Sequence, residues 1–212
     1  GYTTTIDGFN VTNTHIPETI KVSGNKTWND KNNQDGIRPE SITINLLANG
    51  KVVDSVVVTA ENGWAWNFAN LDKFAAGAEI VYSIEEVAVE GYTTTYEGFN
   101  VINTHIPETT EVSGNKTWKD ANDKDGIRPE SITINLLANG KVVDSVVVTA
   151  KDGWTWSFEN LDKFAAGEEI TYTITENKVS GYTTEIDGFN VINTHIPETV
   201  KVSGNKTWND AN

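Results

Sequence analysis

Lys26, Glu86 and Asn103 each continue a row of apolar side chains, and the same three types recur at Lys116, Glu176 and Asn193. In an alternating strand, residues two apart share a face, so Lys26 points where Val22, Gly24 and Trp28 point. By the same rule Glu86 extends the row of Tyr82 and Ile84, and Asn103 extends that of Phe99 and Val101. Glu85 falls on the opposite face, and its counterpart Thr175 is not acidic; Glu86 is therefore the glutamate with an equivalent in both copies. A lone buried charge is costly, which argues for reading the three residues together.

Their joint chemistry is amide exchange. Desolvation favours the neutral forms, leaving a nucleophilic amine beside a protonated carboxyl. The amine of Lys26 can attack the carboxamide carbon of Asn103 while Glu86 donates a hydrogen bond to the oxygen and relays protons to the departing ammonia. A Lys–Asn isopeptide bond results, with Glu86 and Glu176 in the catalytic role. Folding supplies the proximity that makes such a slow reaction feasible. Because each site reacts once on its own chain, no enzyme in the ordinary sense is implied. The competing structural readings are a Lys26 that carries its ammonium to solvent along the Trp28 ring, and an Asn103 that caps a strand end.

The elements that must position these groups repeat every ninety residues. GYTT opens at Gly1, Gly91 and Gly181, and VSGNKTW recurs at Val22, Val112 and Val202. So long a period means tandem modules and not a thin solenoid. Two complete modules span 20–109 and 110–199. Residues 1–19 read as the terminal strand of a preceding partial module and 200–212 as the first strand of a following one, so the sequence is read as a section of a longer array. Asn13 and Lys206 are the unpaired equivalents of the site residues and are expected to stay unreacted. Within a module, Ile42, Ile44 and Leu46, then Trp64, Trp66 and Phe68, then Ile80, Tyr82 and Ile84 alternate with small or polar residues. Asn49-Gly50 and Asn62-Gly63 are hairpin signals, with Asp152-Gly153 replacing the latter in the second copy. Only LDKFAAG leaves room for a helical turn. The pattern predicts an all-β chain of tandem Ig-like antiparallel sandwiches, about seven strands each.

Composition excludes several classes of partner. Sixteen Lys and Arg against thirty Asp and Glu give a net charge of −14, which repels phosphate backbones and anionic membranes. Nucleic acid and membrane insertion are therefore not expected. The absence of Cys removes disulfides and thiolate metal sites, while 37% hydrophobic residues and seven Trp support a packed core in each module.

The succession NKTW, DG-R-P-E-SITINLLANG, GW-W-F-NL, YSIEE or YTITE, GYTT and NTH resembles the B-type repeat domains of Gram-positive surface adhesins, the Cna-B family. The resemblance covers both full modules and both partial ends. It implies links between Lys26 and Asn103 assisted by Glu86, and between Lys116 and Asn193 assisted by Glu176. It further implies a structural stalk or spacer, extracellular and anchored to the cell wall, whose partners are the other modules of the same surface protein and whose host matrix protein is bound by a distal domain. The alternative is a module that itself binds a matrix protein. No cofactor is implied.

Other motifs carry less. DKNNQDG resembles a calcium loop, but its Gly falls at the seventh place and no bidentate Glu follows at the twelfth; a turn at Asp35-Gly36 and no metal site are expected. His15, His105 and His195 occur singly beside Asn-Thr and read as structural. The NKT acceptor pattern lies inside a core strand and is discounted. IPET lacks the Gly of a wall-sorting signal, and the pilin lysine motif of polymerised pilus subunits is not evident. Pro17, Pro107 and Pro197 instead suggest short, stiff junctions in an extended rod.

Overall fold

In the computed structural model, which describes residues 1–210, alternation becomes sandwich. The chain divides into two compact units whose main break falls between Glu108 and Thr109. The first unit opens with a hairpin, β1 (Thr3–Asp7) and β2 (Asn10–Thr14). Its body comprises β3 (Thr19–Asn29), β4 (Ser41–Ala48), β5 (Lys51–Thr59), β6 (Ala65–Asp72), the two-residue strands β7 (Phe74–Ala75) and β8 (Ala78–Glu79), β9 (Tyr82–Glu86), β10 (Thr93–Glu97) and β11 (Asn100–Thr104). Seven of these are long enough to build the sandwich. They form a four-stranded sheet in the order β10-β11-β3-β6 and a three-stranded sheet in the order β5-β4-β9.

The inner faces are the rows that alternation marks. Val22, Trp66, Phe68 and Val101 from one sheet pack with Ile42, Ile44, Leu46 and Val58 from the other. One pairing sets the architecture of the site. β11 lies beside β3 in parallel, with Val101 opposite Lys26 and Asn103 opposite Trp28, in a sandwich whose other strand pairings are antiparallel. The first and last strands of the module thus run side by side in the same direction. Gly24 permits this approach, because a Cβ there would stand 1.7 Å from the carbonyl oxygen of Phe99 and 2.7 Å from the Trp66 ring.

The second sequence repeat follows the same plan. Its strands are β12 (Thr109–Lys119), β13 (Ser131–Ala138), β14 (Lys141–Thr149), β15 (Thr155–Asp162), β16 (Phe164–Ala165), β17 (Glu168–Glu169), β18 (Tyr172–Glu176), β19 (Thr183–Asp187) and β20 (Asn190–Thr194). The sheets are ordered β15-β12-β20-β19 and β14-β13-β18, and β20 again lies parallel to β12. Val112, Ile132, Ile134, Leu136, Trp156, Phe158 and Val191 are among the residues of its core.

Several local expectations change on folding. The stretch LDKFAAG forms no helical turn: Ala76 and Gly77, with φ of 49° and 78°, close the small β7–β8 hairpin instead. Asn49 and Gly50, at 50° and 78°, make the hairpin foreseen between β4 and β5. Asn62-Gly63, by contrast, carries the chain from one sheet to the other, since β5 and β6 belong to different sheets. Residues 1–19 hold two strands, not one, because Gly8 at φ 61° turns the chain between them. Val200–Asp210 carries no strand: VSGNKTW lies between two strand partners in β3 and in β12, and here no described strand pairs with it. Residues 211 and 212 of the expected following module lie outside the described residues.

Candidate cross-linking site

Lys26 and Asn103 sit on adjacent strands of one sheet, while Glu86 comes from the other. In the parallel register Lys26 and Asn103 are diagonal neighbours on the inner face, within reach of a four-carbon stem. Glu86 pairs with Ile44 on the facing sheet, and sheets pack about 10 Å apart. The lysine stem crosses that gap, bringing Nζ to 2.6 Å from Glu86 Oε1 with both side chains fully buried. The ammonium therefore does not reach solvent. It lies 4.6 Å from the Trp28 ring centroid, so the indole walls the site and does not guide the amine outward.

The carboxamide of Asn103 is fully buried, and neither its Oδ1 nor its Nδ2 has a hydrogen-bond partner. Such a group ordinarily costs folding free energy, about 1–3 kcal/mol per unsatisfied atom. The second unit matches this: Lys116 Nζ hydrogen-bonds Glu176 with both side chains buried, and Asn193 is buried and unpartnered. Burial pushes the Lys26 and Lys116 amines below their ordinary value, although hydrogen bonding and charge attraction from the paired glutamates oppose that shift. Glu85 is exposed. Among the unpaired equivalents, Asn13 and Lys206 are both exposed; Asn13 Oδ1 accepts from Thr4 at 2.6 Å, and Lys206 Nζ lies 4.3 Å from the Trp208 ring.

Two further carboxylates in the first module, Asp30 and Asp35, are held by partners distant in the sequence. Asp30 receives Arg38 through both Nε at 2.9 Å and Nη2 at 2.6 Å, and the Tyr92 hydroxyl donates to it at 2.9 Å. Burial pushes this carboxyl up, yet the Arg38 guanidinium and the other donors hold it down at about 2. Between these partners Lys31, Asn32 and Asn33 all adopt left-handed φ of 47°, 60° and 60°, a conformation costing roughly 1–2 kcal/mol per non-glycine residue. The loop is held there by Asp30, which accepts from the Asn33 amide, and by Asn33, whose Oδ1 accepts from the Arg38 amide. Asp120, Arg128 and Tyr182 repeat the cluster. The calcium-like loop is thus an ion-pair turn, and no group of three or more metal-ligating side chains occurs among the described residues.

His105 completes the module's end. Its Nδ1 lies 2.8 Å from the Gly91 carbonyl oxygen and its Nε2 2.8 Å from Asp35 Oδ2, which also accepts from the Glu108 amide. Both ring nitrogens face acceptors, an arrangement that suits the doubly protonated imidazolium. The Asp35 hydrogen bond raises the imidazole above its ordinary value against the opposing effect of burial, with Gly91 assisting. Burial pushes the Asp35 carboxyl up, but the bonds from His105 and the Glu108 amide outweigh it, leaving a net lowering. A raised histidine stabilises the fold fully below its unfolded value of 6.5 and loses that contribution as pH rises through the folded value. A lowered aspartate contributes above its unfolded 3.8 and ceases to as pH falls through its folded value. Thermal stability of the first unit is accordingly expected to be highest between these limits and to decline on the alkaline side, a decline absent in His105→Gln. Calorimetric melting across pH 4 to 9 checks this, and an unchanged alkaline limb in the variant would contradict it. His195 and Asp125 form the same pair in the second unit.

Fold and site together define a class: tandem β-sandwich repeats whose parallel first and last strands enclose a buried amine, carboxyl and carboxamide. The chain belongs to the Cna protein B-type domain family, whose model matches residues 22–104 and 112–194. It is 40% identical over 218 residues to the collagen adhesin of Staphylococcus aureus, an alignment covering 99% of this chain and 18% of that protein. The chain therefore spans less than a fifth of that relative's length. A crystal structure of two B repeat units of the collagen-binding protein of the same organism matches with a TM-score of 0.78 at 39% identity, covering 92% of this chain and 54% of that one. These relatives are repeat domains of an adhesin and not enzymes. No helix among the described residues is long and apolar enough to cross a membrane.

Proposed function

We propose that the chain is a pair of stalk repeats of a bacterial cell-surface adhesin anchored to the cell wall, spanning residues 20–109 and 110–199, each closed by an autocatalytic Lys–Asn isopeptide bond. The observation that carries this reading is the buried Lys–Glu pair beside an unpartnered, buried carboxamide, present in both modules. Lys26 Nζ, with its charged form disfavoured by burial, attacks Asn103 Cγ. The C–Nζ bond forms, the C–Nδ2 bond breaks, and Glu86 moves the amine proton to the departing ammonia. Lys116, Glu176 and Asn193 do the same.

The position of the bond suits load bearing. It ties the first strand of a module to the last, so tension entering at one end passes through the link and leaves at the other without loading the intervening strands. Ligand contact is then left to other parts of the parent protein. Intact mass under denaturing conditions tests the chemistry: the chain is expected to be lighter than its sequence by one ammonia per module, and Glu86→Ala to restore one of them. A wild-type mass equal to the sequence mass would defeat the cross-link. Saturable binding of the two-module chain to a matrix protein such as collagen would defeat the spacer role.

A further inference from the structure

Among the strands at the open sheet edges of the first sandwich, β5 is the longest. It pairs with β4 on one side and has no described strand on the other, and β14 holds the same place beside β13. Both read KVVDSVVVT. A long edge so rich in valine is a ready template for a further strand. Side chains do not cover it, since Val52, Val53 and Val57, like Val142, Val143 and Val147, are each more than half exposed.

The edge is closed at its backbone instead. In an antiparallel ladder alternate residues turn their amides toward the partner, and the others turn theirs away. Ser55 and Thr59 are four apart and turn the same way. Both amides donate to side chains: Ser55 N–H to Asp54 Oδ1 at 2.8 Å, and Thr59 N–H to Asn62 Oδ1 at 3.0 Å. These are the donors that face the open side, and Val57 lies between them with its amide turned likewise. The second module matches, with the Ser145 amide on Asp144 Oδ1 at 2.7 Å and the Thr149 amide on Asp152 Oδ2 at 2.9 Å. Asn62 and Asp152 differ in charge but present the same acceptor oxygen, and that is the feature both copies keep. Val53 and Val143, immediately before each capping aspartate, are skipped in the register with the neighbouring strand, a bulge that twists the edge further from a flat template.

We infer that the outer edges of β5 and β14 are self-pairing surfaces held shut by side-chain caps, chiefly Asp54 and Asp144, and that the strand they exclude is the same strand of a second copy of this chain. KVVDSVVVT occurs twice per chain, so every neighbouring copy presents the matching edge at two places. Asp54 is the one acidic residue of the segment, and without it a pair of these strands sets valine and serine against each other with no carboxylates opposed. The inference is independent of the cross-link. In a stalk of the kind proposed above, the caps keep chains that stand side by side on one wall from zipping together.

Analytical ultracentrifugation of the 212-residue chain from roughly 10 μM to 1 mM tests this, in about 0.15 M salt, where repulsion between charges is screened beyond about 8 Å. The wild type is expected to sediment as one chain. Asp54→Ala combined with Asp144→Ala is expected to rise with concentration to at least twice that mass. Adding Val57→Pro and Val147→Pro is expected to return it to one chain, because proline removes the outward amide and leaves the bonds to β4 and β13 in place. Asp54→Asn with Asp144→Asn keeps the acceptor oxygen and is expected to stay single. Circular dichroism monitors the fold, and Val57→Lys with Val147→Lys, which charge the edge, replace the prolines if those unfold the strand. A folded alanine variant that stays single overturns the inference, as does association that the second substitutions leave intact. An asparagine variant that associates like alanine also overturns it, since charge and not the cap would then be the barrier. So does a wild type that associates as strongly as the alanine variant.

Discussion

Gly24→Ala is expected to destabilise the first module by more than about 3 kcal/mol, the scale of severe overpacking, and to leave its Lys26 and Asn103 unlinked. The added methyl would meet the Phe99 carbonyl oxygen at 1.7 Å and the Trp66 ring at 2.7 Å. The nearest obstacle is backbone, so no rotamer change relieves it. Either β11 moves away from β3 or the module fails to close. Both outcomes separate Lys26 from Asn103, because their proximity depends on that parallel register. Gly114→Ala should act alike in the second module, where the Phe189 carbonyl stands at 1.8 Å. Calorimetry with intact mass checks the expectation; a Gly24→Ala chain that melts normally and loses both ammonias would refute the role given to the close approach.

Lys26→Met carries the second large effect. The thioether keeps much of the stem volume but can neither react nor pair with Glu86. The proposed bond closes a loop of roughly 77 residues between Lys26 and Asn103, and its removal costs roughly 4.5 kcal/mol by the chain-entropy relation written for disulfides. Glu86 is left buried with Thr94 as its side-chain partner, and stranding one member of a buried pair costs about 3–5 kcal/mol where the charge persists. The two effects share the same side chain and are not additive. A fall of at least about 4 kcal/mol remains, which for a domain of this size lowers the melting temperature by about 20 °C. In the 212-residue chain the unaltered second module serves as the reference transition. Co-melting of the two modules would sink the expectation.

The residues behind these two effects are unequally visible in the sequence. The period-two pleat turns Val22, Gly24, Lys26 and Trp28 to one side whatever the partners are, so the inward placement of Lys26, Glu86 and Asn103 could be read directly from their neighbours. Internal repetition strengthens that reading, since Glu86 has an acidic equivalent in Glu176 whereas the equivalent of Glu85 is Thr175. The partners of Asp30 and Asp35 were harder to see. Asp35 meets a histidine seventy positions away and Asp30 a tyrosine sixty-two away, and a loop rich in Asp and Asn reads equally well as a turn or a cation site. LDKFAAG was ambiguous for a related reason: a short apolar run has no period long enough to separate helix from strand, and the left-handed Ala76-Gly77 turn settled it.

What the sequence by itself determined was therefore the set of side chains that face inward, because pleat alternation is a local property of the backbone. Which sheet each strand joins, the parallel pairing of β3 with β11, and the crossing of the Lys26 stem to Glu86 were decided only by tertiary structure. Those depend on how two twisted sheets bury their apolar faces against each other, a global packing condition that no window of neighbouring residues contains.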